Sequence, residues 1–226
     1  MEKGYPWLIA RGFAKILALF IMIFILAGRT DYWQGWVFVA YIVVLFAVMA
    51  AFFSKNTDLM RERVSPGPGI KGWDKIFWML YLPLSIAVFV IAILDSGRFH
   101  WTRDLPVYVY IISYVILTFS TAVFLWCMYV NKFFSSVVRI QKDRKQVTIT
   151  KGPYKFVRHP GYAVAFPMYV SMSLVLGSLY SLIPSVIATI LLMARTYLED
   201  ETLKKELKGY KEYSKKVKYR LVPGVW

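Results

Sequence analysis

Residues 152–162 read GPYKFVRHPGY, and an apolar run reaching Ala194 begins directly after them. Gly152 and Pro153 on one side, and Pro160 and Gly161 on the other, restrict the backbone around Arg158 and His159 and end regular structure. The bend brings an imidazole, a guanidinium and the phenols of Tyr154 and Tyr162 to the edge of an apolar segment. Those are the ingredients of an organised ligand site. Tyrosine and arginine are also ordinary anchors at a membrane interface, and a short motif by itself does not separate the two readings.

Outward from that stretch, composition fixes the class of protein. The 226 residues are 58% hydrophobic, yet they carry a net charge of +15, with a mean hydropathy of +0.50. A water-soluble fold this apolar has too little polar surface to cover itself. Long apolar runs separated by basic clusters account for both facts, so the chain reads as an all-α, polytopic integral membrane bundle. Lys and Arg are divided among several loops and do not line one domain, which argues for a membrane surface and against nucleic acid. Cys127 is the sole cysteine, so neither an intramolecular disulfide nor a thiolate cluster can form. His100 and His159, with scattered carboxylates, make no metal site.

About six spans are expected. The first covers residues 13–28; a signal peptide is the alternative for this basic then apolar start, and a retained helix with Lys15 reaching to the interface is preferred. The second runs over Trp33–Phe53 and the third over residues 76–94, bent at Pro83. The fourth covers residues 106–130. Each is close to the ~20 residues a crossing helix needs. The run of residues 163–194 is too long for one crossing, and Gly177-Ser178 with Pro184 divides it into a helical hairpin. From Arg195 the spacing of Leu203, Leu207, Tyr210, Ser214 and Val217 predicts an amphipathic helix seated on headgroups or on the polar loop. The chain divides into a four-helix part, residues 1–130, and a second part, residues 131–226. With this span count, 25 of the 28 Lys and Arg lie on one side, leaving Arg29, Arg98 and Arg103 on the other. The positive-inside rule then places both termini and the His159 region in the cytoplasm.

The first four spans hold no acid or base beyond Lys15 at one end, which disfavours a proton-coupled transporter or an ion channel. Polar candidates gather in residues 141–162 and in RTYLEDE, residues 195–201. Arg195 and Glu199 share a helix face at i, i+4 and pair plainly in the simplest reading. In the sharper one Arg195 clamps an anionic substrate group, Glu199 accepts hydrogen bonds from a cofactor amine or ribose, and His159 binds a carboxylate or acts as a base.

These residues, in this order, resemble the isoprenylcysteine carboxyl methyltransferase family and its phospholipid methyltransferase relatives, in a prokaryotic branch. The shared pattern is Gln141, then GPYKFVRHPGY, a helical hairpin, Arg195 with Glu199 and Leu203, and finally Tyr210, Tyr213, Val217 and Pro223. The resemblance covers about residues 131–226; nothing in the first four helices maps onto it. It implies S-adenosylmethionine as methyl donor, bound at a cytoplasmic pocket. Gln141, Gln146, Val147, Thr148, Ile149, Tyr154, His159, Pro160, Gly161, Tyr162 and Glu199 would contact the cofactor. Arg195, with Glu199 and His159 the expected catalytic set, would face a lipophilic acceptor entering from the bilayer. The acceptor expected is a prenylcysteine-like carboxylate; amino-lipid N-methylation and a non-catalytic membrane binding protein are the alternatives, with a nicotinamide-dependent membrane reductase behind them.

Overall fold

In the computed structural model, which describes residues 5–53 and 57–226, every regular element among the described residues is a helix. Hydrocarbon offers no partner to a backbone N–H or C=O, and a helix satisfies both internally. Helices α1 (Tyr5–Ala27), α2 (Trp33–Phe53), α4 (Gly72–Ala92) and α5 (Val107–Val130) occupy the first four apolar runs. A short α3 (Thr57–Val64) lies where only a polar loop was expected. Lys3 and Lys55, counted in the charge asymmetry, lie outside the described residues. The outward side chains of the long helices are apolar, as at Ile25, Val44, Leu82 and Phe119. Ile23, Tyr32, Phe38, Ile93 and Leu176 form the main core.

Among the described residues five helices are long and apolar enough to cross a membrane: α1, α2, α4, α5 and α8 (Leu182–Glu206). Six were expected. The difference is α7 (Ala165–Val175), whose 11 residues reach about 16 Å at 1.5 Å per residue. The chain nevertheless travels the length of the bundle here. Gly152 lies beside Trp126 and Val130 at one end of α5, and Gly177 beside Tyr110 at the other. The short α6 (Pro160–Ala163), with proline at its first helical position, supplies the rest of the path before Val164. This crossing is a broken helix, because the proline–glycine bend that shapes the site takes up its first turn.

The hairpin turn falls where expected. Gly177 has φ +82°, and a Cβ there would meet the Tyr110 hydroxyl at 3.1 Å, so both backbone and space call for glycine. The fully buried Asp95 accepts hydrogen bonds from Thr102 and from the Ser178 hydroxyl, fastening the turn to the end of α4. Helix α4 passes through Pro83 without a break, and its geometry changes later, where a π-helical segment Ile93–Phe99 follows.

The tail departs from the single surface helix expected from Arg195. Helix α8 continues to Glu206, the chain breaks at Gly209 with φ +83°, and α9 (Tyr210–Lys216) starts on a new axis. The break resets the helical phase, so Tyr213 is buried and Ser214 is not. Leu207, Tyr210 and Tyr213 pack on Tyr154 and Cys127, with Ile149 alongside. The tail therefore closes over the polar loop of residues 131–159. That loop holds only two short 3₁₀ turns, and residues 146–150 form no regular element.

Candidate functional site

A cleft of about 830 Å³, counting its open mouth, lies where the 131–159 loop, the start of α6 and the last turns of α8 converge. Gln141, Gln146, Val147, Thr148, Ile149, Tyr154, His159, Pro160, Gly161, Tyr162 and Glu199 all line it, together with Leu203, Leu207, Tyr210 and Tyr213 from α8 and the tail. Arg195 does not line it. It sits one helical turn earlier on α8, behind Tyr162.

Behind the cleft wall stands Asp200, which the sequence reading passed over in favour of its neighbour. Its carboxylate is fully buried and takes a two-pronged contact from Arg158, with Nε to Oδ1 at 2.7 Å and Nη2 to Oδ2 at 2.9 Å. The Tyr210 hydroxyl donates to Oδ1 at 2.9 Å, Arg220 Nε to Oδ2 at 3.0 Å, and Lys204 lies at 3.0 Å. His159 Nε2 is 3.2 Å from the same carboxylate. With the hydroxyl of Tyr210 and Nε2 of His159 both donating to Asp200, Nδ1 is the ring nitrogen left without a partner among the described residues. Burial, reinforced by Asp200, holds the Tyr210 phenol well above its ordinary pKa, so it remains a donor. Burial works against Arg158, yet its bonds to Asp200 raise the guanidinium above its usual value.

Arg158 also explains the bend. Its Nη1 donates to the carbonyls of Val217 and Lys218, while the amides of Arg158 and His159 donate to the carbonyls of Tyr219 and Arg220. The tail is thus strapped along the RHP segment, and the imidazole is fixed from both sides. Only the wide spacing of Arg158 and Asp200 hid this from sequence reading: 42 positions separate them.

Glu199 faces the cleft from the preceding position of α8. Tyr162 donates to its Oε2 at 2.7 Å, and the Tyr162 ring lies parallel to that of His159 at 5.8 Å between centroids. Glu199 Oε1 has no partner among the described residues. The expected i, i+4 pair of Arg195 with Glu199 is not formed. Arg195 instead pairs with the fully buried Asp74 of α4, Nε to Oδ1 at 2.8 Å and Nη2 to Oδ2 at 3.3 Å, and Nη2 also donates to the Ser136 carbonyl. A carboxylate from across the bundle outcompetes the local one because Glu199 is turned towards the cleft. Phe77, Trp78 and Tyr162 surround the guanidinium at 4.5–5.5 Å. Its Nη1 has no partner among the described residues.

The opposite wall is braced from within. Gln141 Nε2 donates to the Phe133 carbonyl, its Oε1 accepts from Arg144, and its amide donates to Gln146 Oε1. Both glutamines therefore shape the loop, whatever else they touch. The amides of Val147, Thr148 and Ile149 make no backbone hydrogen bond among the described residues, so a stretch of unpaired backbone donors borders the cleft. At the base of this wall Arg139 bridges Glu62 of α3 and Asp143.

Chemically, the cleft offers an apolar floor, an unpaired backbone edge, one unpartnered carboxylate oxygen and one unpartnered imidazole nitrogen. That set fits S-adenosylmethionine. The edge and Leu203 suit a purine, while Glu199 Oε1 and His159 Nδ1 suit a ribose hydroxyl or an amine. Among the described residues no cluster of His, Cys, Asp or Glu could hold a metal ion.

Residues 110–205 match the model of the isoprenylcysteine carboxyl methyltransferase family. No curated protein matches the chain. The matched segment runs from the start of α5 to the end of α8, taking in the loop wall, the RHPGY bend, Arg195, Glu199 and Asp200. It leaves out the tail and the helices that carry Glu62, Arg63 and Asp74.

Proposed function

We propose, from the premise that residues 110–205 carry an isoprenylcysteine carboxyl methyltransferase family domain within a polytopic membrane protein, that this chain transfers a methyl group from S-adenosylmethionine to a lipophilic acceptor. The family is one of methyltransferases, and one observation carries the reading further: Glu199, His159 and the 147–149 edge, brought from three separate stretches, border a single cleft. When bound, the donor supplies an electrophilic methyl on a sulfonium and departs as a neutral thioether.

The residues of the chain then have distinct tasks. Glu199 Oε1 and His159 Nδ1 hold polar groups of the donor, and Asp200 fixes the imidazole without entering the cleft. Tyr162 keeps Glu199 in place. Leu203, Leu207 and Phe134 exclude water, so that positioning and desolvation supply much of the rate. A carboxylate acceptor, prenylcysteine-like by family, attacks without losing a proton. An amine acceptor must first give one up, and Glu199 is the base within reach. The Asp74 partner of Arg195 favours keeping that second reading, because an already neutralised guanidinium attracts a carboxylate less strongly.

The test is transfer of labelled methyl from S-adenosylmethionine into a total lipid and small-molecule pool by the purified protein. Ester product marks the first acceptor class and methylated amino-lipid the second. Glu199→Ala and His159→Ala should weaken donor binding, whereas Arg195→Ala should lose turnover with donor binding intact. A protein that binds no S-adenosylmethionine by calorimetry would sink the enzyme reading and leave a membrane binding protein.

A further inference from the structure

The basic side chains packed around the inner end of the cleft are nearly all answered by acids. Arg139 has Glu62 and Asp143, Arg158 and Arg220 have Asp200, and Arg195 has Asp74. Arg63 is the exception: its guanidinium has neither an acidic partner nor a hydrogen bond among the described residues. Its central carbon lies 5.2 Å from the Phe134 ring centroid and 5.6 Å from that of Phe124. Two aromatic faces return only part of what a partly buried guanidinium loses in hydration. Burial accordingly lowers its pKa, against a smaller opposing influence of the Tyr162 phenol.

Its position is fixed and close to the chemistry. Leu59, one turn earlier on α3, is fully buried against Met128. Glu62 is tied to Arg139, and the Arg63 carbonyl accepts from Ser136. The Phe134 ring beneath the guanidinium lines the cleft and presses on Gly161, where a Cβ would come within 2.9 Å of it. Arg63 therefore stands on the Tyr162 side of the cleft, with hydrogen-bonding capacity that nothing among the described residues uses.

We propose that Arg63 receives the oxyanion at the polar end of the apolar acceptor, and that Arg195 serves chiefly to tie α8 to α4. The proposal rests on the methyltransferase reading. It names the chemistry shared by both acceptor classes, since a prenylcysteine ends in a carboxylate and an amino-lipid carries a phosphate. Arg63 lies outside the family-matched segment, so acceptor choice is set by a part of the chain that the family pattern does not describe.

The test compares binding of two matched pairs to the full-length protein in phosphatidylcholine nanodiscs. The pairs are N-acetyl-S-farnesylcysteine with its methyl ester, and lysophosphatidylethanolamine with a phosphate-free N-acylethanolamine. A charge-assisted hydrogen bond predicts that the charged member of one pair binds about tenfold or more tightly. Arg63→Ala should abolish that preference, and Arg63→Lys should retain part of it. Whichever pair shows the preference identifies the source of the oxyanion. Four results overturn the proposal: a preference that survives in Arg63→Ala; one lost only in Arg195→Ala; no preference in the wild type for either pair; or equal loss of both members in Arg63→Ala, as a structural role or a bound bilayer phosphate would give. S-adenosylmethionine binding, measured in the same samples, reports separately on the methyltransferase reading.

Discussion

The Asp200 carboxylate has both oxygens out of water and balances Arg158, Arg220 and Lys204 while holding His159 and Tyr210. Such a group is costly to bury alone and costly to remove once its partners depend on it. Asp200→Asn keeps the shape and deletes the charge, leaving Arg158 buried without a counter-ion. Removing one member of a buried pair costs about 3–5 kcal/mol, so the variant should unfold at markedly lower temperature in detergent. It should also bind S-adenosylmethionine weakly, although Asp200 does not line the cleft. An unfolding temperature equal to that of the wild type would show that the hub carries no load. The residue was not legible beforehand because adjacent carboxylates in a helix point about 100° apart, and nothing in the string EDE says which one faces inward. The place of His159 was legible, since a bend of Pro and Gly around an imidazole limits where that imidazole can go.

Two elements close the cleft, and each can be detached. Helix α3 is latched to the loop by Glu62 and Arg139. Burial alone would raise the Glu62 pKa, but the bonds from Arg139 win and hold it below the ordinary 4.5. A carboxyl whose pKa is lower folded than unfolded stabilises fully above its ordinary value, and that contribution fades as pH falls through the lowered one. The difference in unfolding temperature between wild type and Glu62→Gln should therefore be constant from neutral pH down to about 5 and shrink below it. A difference that grew on acidification would mean the latch is not an ion pair. The tail is the second element. Truncation after Val217 removes the Lys218 carbonyl that receives Arg158, the carbonyls of Tyr219 and Arg220 that receive the amides of residues 158 and 159, and the Arg220 side chain. Donor binding should fall at least as far as in His159→Ala, and calorimetry decides it. That the tail straps the bend could not be foreseen: its apolar stripe announced a helix, whereas the Gly209 break and the pairing of residues 158–159 with 219–220 are long-range facts.

At the scale of the whole molecule, hydropathy gave the crossings and their order because each long run must satisfy its own backbone in lipid. It did not foresee that the first arm of the hairpin is broken, since a four-residue helix begun by Pro160 has no periodicity to detect. It missed the Asp74 to Arg195 tie for a related reason: 121 positions separate the partners, and neither is unusual where it stands. That tie and the Lys71 to Glu206 pair bring the loop after α2 and the end of α8 to the same end of the bundle as the cleft, with Arg98 and Arg103 in the segment joining the other ends of α4 and α5. Because the span layout expected from the sequence gathers 25 of the 28 Lys and Arg on one side, the side of the cleft, the positive-inside rule predicts that the cleft opens to the cytoplasm, where a polar donor is available. Cysteine labelling tests this with little preparation, since Cys127 is the sole cysteine and is buried. In intact cells, Arg103→Cys should react with an impermeant maleimide, and Lys208→Cys only after the membrane is opened. The reverse pattern would put the cleft on the outer face, and a polar sulfonium donor made in the cytosol could not reach it.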